Sequence, residues 1–271
     1  MLRNRLITAA VLAPIIILGI LKLQWQWFAF MWGMVILMAS WEWTDLAGLS
    51  SLWSRLGFVG VLLICQLTAR YWASYTLDWL PWLAVIWWFA IGMAMRVAPD
   101  KLLRLRYPPV LKFLVGLFFL ITAWILMVWL RIHFEVKQVL FLFLLIWLAD
   151  AAAYFIGKRF GQTKLLPQIS PGKTREGVYG ALVAAAILSA AVGVAYEFKP
   201  IMIADFVVLS LLTVIISVCG DLFESLAKRL RGVKDSGTMV PGHGGVLDRI
   251  DSLAAGVSVF YLGSMLRGIF L

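Results

Sequence analysis

The sequence predicts an all-α, polytopic integral membrane protein with about nine transmembrane helices. Hydrophobic residues fill 63% of the 271 positions and charged residues 14%, a balance too apolar for a soluble domain. The apolar residues are gathered into successive runs, each close to the roughly 20 residues that span a bilayer. Lys and Arg concentrate in alternate connections between those runs, the asymmetry that orients membrane proteins.

The first run follows a basic start, Arg3 and Arg5, and ends near Leu23. A secretory leader begins the same way, but no small-residue cleavage site follows and the chain stays apolar, so this run reads as the first span. Further spans are expected at about 26–44, 56–75, 79–98, 111–131, 137–157, 177–196, 203–220 and 253–270. With the N-terminus in the cytoplasm, eighteen of the 24 Lys and Arg lie on the cytoplasmic side. Lys22, Arg70, Arg131, Lys137, Lys199 and Arg267 lie outside. Thirteen of the 14 Trp precede residue 130, and Trp25, Trp27, Trp41, Trp43, Trp79 and Trp82 sit near span ends, where interfacial belts form.

Residues 1–131 therefore read as a transmembrane scaffold, with Glu42 and Asp45 as solvated interfacial groups. Residues 132–271 read as the catalytic region, with cytoplasmic loops at 157–176 and 221–252. Cys65 and Cys219 have neither metal-ligand nor disulfide-framework spacing. The net charge of +10 suits anionic lipid headgroups and anionic substrates alike, and no nucleic-acid partner is expected.

The chemistry is concentrated in residues 221–251, DLFESLAKRLRGVKDSGTMVPGHGGVLDRID. No Gly or Pro interrupts Asp221 to Arg231, so a helix is expected there, stopped by Gly232. Asp221, Glu224, Ser225 and Lys228 then share one face. Lys234 and Asp235 lead into a turn containing Pro241, Gly242, His243, Gly244 and Gly245. Successive N–H groups in such a turn make an anion-binding concavity. A second helix is expected from about Val246, with Asp248, Asp251 and Ser252 on a common face. Carboxylates on two helices around a basic, glycine-rich turn suit Mg²⁺ holding a polyphosphate, because hard Mg²⁺ takes oxygen ligands and phosphate completes its shell. His243, flanked by glycines, reads as a phosphate-contacting donor in preference to a general base.

Two segments upstream belong with this one. The sixth span ends LADAAAYFIGKRFG, placing Asp150, Tyr154 and Gly157 along one helix face. A carboxylate so deep is functional by default, and the small residues around it permit close helix packing. The loop KLLPQISPGKTREG contains Gly172-Lys173-Thr174, yet it is no P-loop: Pro167 stands where the first glycine is required, and no strand is expected before it. Lys164, Ser170, Lys173, Thr174 and Glu176 nonetheless form a hydroxyl-rich basic element suited to contacting phosphate.

Residues 225–251 resemble the signature of the phosphatidate cytidylyltransferases, also called CDP-diacylglycerol synthases, of the bacterial type. The run departs from that pattern at Ala227, where the family has a larger aliphatic residue. Asp150-x-x-x-Tyr154-x-x-Gly157 and Ser170-Pro171-x-Lys173-Thr174-x-Glu176-Gly177 resemble further family patterns, so the specific likeness covers about residues 150–252. The resemblance implies transfer of the cytidylyl group from CTP to phosphatidate with Mg²⁺ in the bacterial inner membrane, a second cation and a homodimer both being open. It implies catalytic roles for Asp221, Asp248, Asp251, Lys228 and Lys234, with Mg²⁺ on Asp221 and Asp248. Substrate contacts would come from Asp150, Tyr154, the 164–176 element, Glu224, Ser225, Arg229, Asp235, His243, Gly244, Gly245 and Arg249. Two other classes compete. A CTP-dependent polyprenol-type kinase would use the same metal and triphosphate site, whereas a cation transporter has no use for the glycine-rich turn.

Overall fold

The computed structural model describes residues 13–239 and 244–267. His243, with Val240, Pro241 and Gly242, lies outside them. The helices are α1 (Ala13–Lys22), α2 (Trp25–Leu46), α3 (Leu52–Thr76), α4 (Leu80–Val97), the short α5 (Pro99–Arg104), α6 (Pro109–His133), α7 (Val136–Phe160), α8 (Arg175–Ala195), α9 (Pro200–Arg231) and α10 (Leu247–Arg267). Between α7 and α8 lie two short antiparallel strands, β1 (Lys164–Leu166) and β2 (Ser170–Thr174). The all-α reading holds for the architecture, and the hairpin corrects the expectation of a strandless loop.

Among the described residues, six helices (α3, α4, α6, α7, α8 and α9) are long and apolar enough to cross a membrane. The other three expected spans fall outside that set. For α1, only a ten-residue apolar helix is described, α2 is rich in Trp, and α10 begins with Asp248, Arg249 and Asp251.

The expected eighth span and the charged helix after it are one helix. No proline follows Pro200 within α9, so the ladder runs unbroken through Gly220 to Arg231. Gly232 ends it in the left-handed conformation (φ 78°), its N–H returning to carbonyls of the last turn.

Helix α10 is central and packs on α9, α6, α4, α7 and α2. Its small residues Ala254, Ala255, Gly256 and Ser258 are all buried and let neighbouring backbones approach. At Gly220 a Cβ would sit 2.5 Å from the Asp251 carbonyl oxygen and 2.6 Å from the Ala255 Cβ, so α9 and α10 touch there almost backbone to backbone. This contact sets Asp221 beside Asp251. Helices α7 and α8 pair in the same way through Gly157, Gly177 and Gly180.

Tryptophans divide between surface and core. Trp25, Trp27, Trp79 and Trp82 are exposed, as the interfacial reading expects. Trp43 is buried instead: its ring stacks on Phe223, and its indole N–H donates to the Lys112 carbonyl at 3.2 Å. Trp32 and Trp124 exchange indole donations with the α6 and α2 backbones, both at 3.2 Å, which satisfies two N–H groups where no water is at hand.

Candidate active site

The polar residues of the sequence reading meet at one end of the bundle, where α7, α9, α10 and the β-hairpin converge. Helix α9 presents the expected face: Ser225 Oγ donates to Asp221 Oδ1 at 3.4 Å, and Lys228 Nζ donates to Glu224 Oε2 at 2.7 Å. Lys228 also reaches across to α10 and donates to Asp248 Oδ1 at 2.6 Å. Glu224 is 1% exposed, and its other oxygen, Oε1, is buried with no hydrogen-bond partner among the described residues.

Asp248 is the most heavily engaged carboxylate. Besides Lys228, it accepts at Oδ2 from the Gly245 N–H (2.8 Å), the Ser236 N–H (3.0 Å) and the Ser236 hydroxyl (3.0 Å). Burial disfavours its charged form, but Lys228 and the Gly245 and Ser236 N–H donors outweigh that and hold its carboxyl below the ordinary range. Gly244, at φ 84°, adopts a backbone conformation that L side chains rarely take. A Cβ there would also lie 2.8 Å from Asp248 Oδ2.

The hairpin delivers the second cation. Lys173 on β2 pairs with Asp221 Oδ2 at 2.6 Å, tying the segment after α7 to α9. Arg229 reinforces the link by donating from Nε to the Ile169 carbonyl at 3.2 Å. Asp150 lies within electrostatic reach of Asp221, Lys173 and Arg249, and buried Asp251 within reach of Asp221, Glu224 and Asp150. Five carboxylates from three helices thus share one region with Lys173, Lys228 and Arg249.

Other expected site residues are placed differently. Thr174 caps α8, its hydroxyl accepting from the Gly177 N–H at 3.2 Å. Glu176 accepts from the Gln162 and Thr163 N–H groups, 3.2 Å each, and closes the hairpin's entry. Tyr154 is exposed on the outside of α7, its ring beneath Lys158 and against Phe155. Lys164, Lys234 and Asp235 are exposed, and Ser170 opens β2 half-buried.

The sequence reading of Glu42 is corrected. Glu42 is 3% exposed and accepts from the Val246 N–H (3.0 Å) and the Leu247 N–H (2.8 Å), with Ser236 Oγ 3.1 Å from its Oε2. Asp45, one turn on, pairs with Arg55 at 3.0 Å and with Arg231 at 3.4 Å. A carboxylate inside an apolar run was the signal that singled out Asp150, and Glu42 carries the same signal among the tryptophans of Trp41-Glu42-Trp43.

No three or more His, Cys, Asp or Glu among the described residues are gathered tightly enough to hold a metal ion by themselves. The donors are hard oxygens, and Mg²⁺ is commonly held by one or two carboxylates plus substrate phosphates instead of an all-protein cage. A region with paired carboxylates and several cations can bind a metal-bridged polyphosphate and a second anionic group beside it.

The sequence pattern of the family described as the cytidylyltransferase family matches residues 3–266. The chain is 36% identical over 266 residues to a phosphatidate cytidylyltransferase of Pseudomonas aeruginosa, covering 96% of both chains. It is 37% identical over 291 residues to one of Haemophilus influenzae, covering 96% of this chain and 97% of that one. A Bacillus subtilis protein of the same name is 46% identical over 110 residues, 40% of this chain. With a match over nearly its whole length and the polar cluster at one end of its bundle, this chain belongs to the cytidylyltransferase family.

Proposed function

We propose that this protein transfers the cytidylyl group of CTP to phosphatidate, giving CDP-diacylglycerol and pyrophosphate. The observation that carries the reading is the juxtaposition of two lysine–carboxylate pairs from three elements, Lys173 with Asp221 and Lys228 with Asp248, at the edge of a bundle of membrane-length helices. The full-length relatives named phosphatidate cytidylyltransferase support it.

The site has to receive two anions. The attacking group is a phosphate monoester whose second pKa lies near 6, so it arrives at pH 7 largely as a dianion. One of its oxygens forms a bond to the α-phosphorus of CTP. The bond from that phosphorus to the bridging oxygen breaks, and pyrophosphate leaves with the electron pair. No hydroxyl is deprotonated, so the residues have to position and neutralise charge, not abstract a proton. Lys173 and Lys228 are the buried-side cations, and Arg229, Lys234 and Arg249 line the approach. His243 and Gly244, close to Asp248 in sequence, are assigned to the triphosphate. The acyl tails remain in the bilayer while CTP enters from water.

Asp221 and Asp248 would hold Mg²⁺, with Asp251 and Glu224 beside them; the Asp221 side chain is 31% exposed, and Glu224 Oε1 would supply a further oxygen. An ion held by these carboxylates would supply positive charge against the phosphate oxygens. The site faces the cytoplasm of a bacterial inner membrane, the side favoured by the Lys and Arg distribution.

Purified protein given phosphatidate, Mg²⁺ and α-labelled CTP is expected to place label in the lipid and release unlabelled pyrophosphate. Lipid labelled from γ-labelled CTP would establish a kinase instead. No lipid labelling from either, with phosphatidate or with a polyprenol, would remove the enzyme reading.

A further inference from the structure

We propose that Glu42 is a positioning residue for this site, holding the glycine turn and the start of α10 in register with α9 from a helix near the opposite end of the chain. The proposal rests on the cytidylyl-transfer reading for its kinetic part, while its structural part stands on the contacts themselves.

The first N–H groups of a helix have no intrahelical acceptor and carry partial positive charge. For α10, two amides at its start, those of Val246 and Leu247, are taken by the two oxygens of Glu42, at 3.0 and 2.8 Å. The acceptor comes not from a neighbouring cap residue but from α2, 204 and 205 positions earlier. A buried carboxyl group in this place needs such donors, and the helix start needs such an acceptor.

Glu42 and the proposed metal-binding carboxylate border the same hydroxyl, whose one proton goes to one of them at a time. Ser236 Oγ lies 3.1 Å from Glu42 Oε2 and 3.0 Å from Asp248 Oδ2. The strand of chain entering the turn and the strand leaving it are therefore fastened to the same α2 carboxylate. Two glycines permit the approach: a Cβ at Gly237 would collide with the Glu42 carboxylate, and one at Gly245 with both Glu42 and Ser236. Asp45 secures the same end of α2 to Arg231 on α9. The end of α2 thus grips both sides of the turn that separates α9 from α10. Loss of that grip leaves Asp248 and the turn amides present but free to shift, and displacements of about 1 Å can lower turnover about 100-fold.

The test uses the full-length protein in lipid nanodiscs, comparing Glu42→Gln, Glu42→Ala, Ser236→Ala and the double variant Glu42→Gln/Ser236→Ala with wild type. Amide exchange without substrate is expected to quicken at residues 236–248 in Glu42→Ala while the other helices keep their protection. With CTP and phosphatidate, kcat is expected to fall about 100-fold in Glu42→Ala, less in Glu42→Gln, which keeps one carbonyl acceptor, with KM for phosphatidate unchanged. The double variant is expected to be no slower than its slower single parent. Unchanged exchange at 236–248, unchanged kcat, or additive losses in the double variant would each overturn the proposal. So would uniform loss of protection over all helices in both Glu42→Ala and Glu42→Gln, which would make the residue a general stabiliser. If wild type transfers no label, the reaction falls, and the exchange comparison still judges Glu42.

Discussion

At the scale of single residues, the two aspartates proposed to hold Mg²⁺ differ in what else depends on them. Asp221 is partly open and pairs with Lys173, both side chains a quarter or more exposed. Asp248 and Lys228 are 8% and 11% exposed. Both Asp221→Asn and Asp248→Asn are expected to lower turnover by orders of magnitude, read as label transferred from α-labelled CTP. Asp221→Asn should keep wild-type thermal stability, since exposed pairs contribute about 0–1 kcal/mol. Asp248→Asn should be clearly destabilised, because it leaves buried Lys228 with Glu224 as its one carboxylate partner and weakens the acceptor for three further donors. Near-normal turnover in Asp221→Asn would take that residue out of the metal site. The shared face of Asp221, Glu224, Ser225 and Lys228 could be read from helical spacing alone. Glu42 could not, because its partners lie about 200 positions away and spacing carries no information on contacts at that range.

At the scale of elements, the helices were legible because bilayer thickness fixes their length and apolar content. Gly232 marked the end of α9 for the same reason it does in soluble helices. Gly220 misled in the other direction: it looks like a boundary between a greasy span and a charged helix, but α9 runs through it, because a side chain there would enter α10. The strands β1 and β2 left no signal, being three and five residues long and containing Pro171 and Gly172, residues depleted from strand interiors. Two substitutions test this level. Gly220→Val is expected to destabilise by about 1–3 kcal/mol through overpacking and to lower turnover by separating Asp221 from Asp251. Thr174→Ala is expected to cost about 1 kcal/mol as a lost cap, seen as faster amide exchange confined to the first turns of α8, whereas Thr174→Ser keeps the hydroxyl and restores protection. An unchanged exchange profile in Thr174→Ala would show that the cap contributes nothing.

At the scale of the whole molecule, the ends of α2, α4, α7 and α9 and the starts of α3, α6, α8 and α10 fall on one side, as alternating spans require. Contacts across that side include Trp43 to Lys112, Asp45 to Arg55 and Arg231, and Lys173 to Asp221. At the other side Arg131 donates to the Leu23 carbonyl, and His133 meets Tyr261. The alternation came from hydropathy and the sidedness from charge. Single cysteines at Thr163 and Thr238, in a background lacking Cys65 and Cys219, are expected to resist an impermeant thiol reagent added to intact cells and to react once the membrane is opened. Labelling of both from outside would invert the topology. The grip of Glu42 on the start of α10 also has a consequence for how the protein is made. Its carboxylate enters the membrane edge with α2, while the amides it accepts from emerge 204 and 205 residues later. At about 5–20 residues per second of synthesis, that interval is on the order of 10–40 seconds. Through it the nascent chain carries Glu42 without the N–H donors it accepts from, and only the last helix completes the arrangement. Chains cut short before α10 therefore keep the Glu42 carboxyl group without those donors at the end of α2.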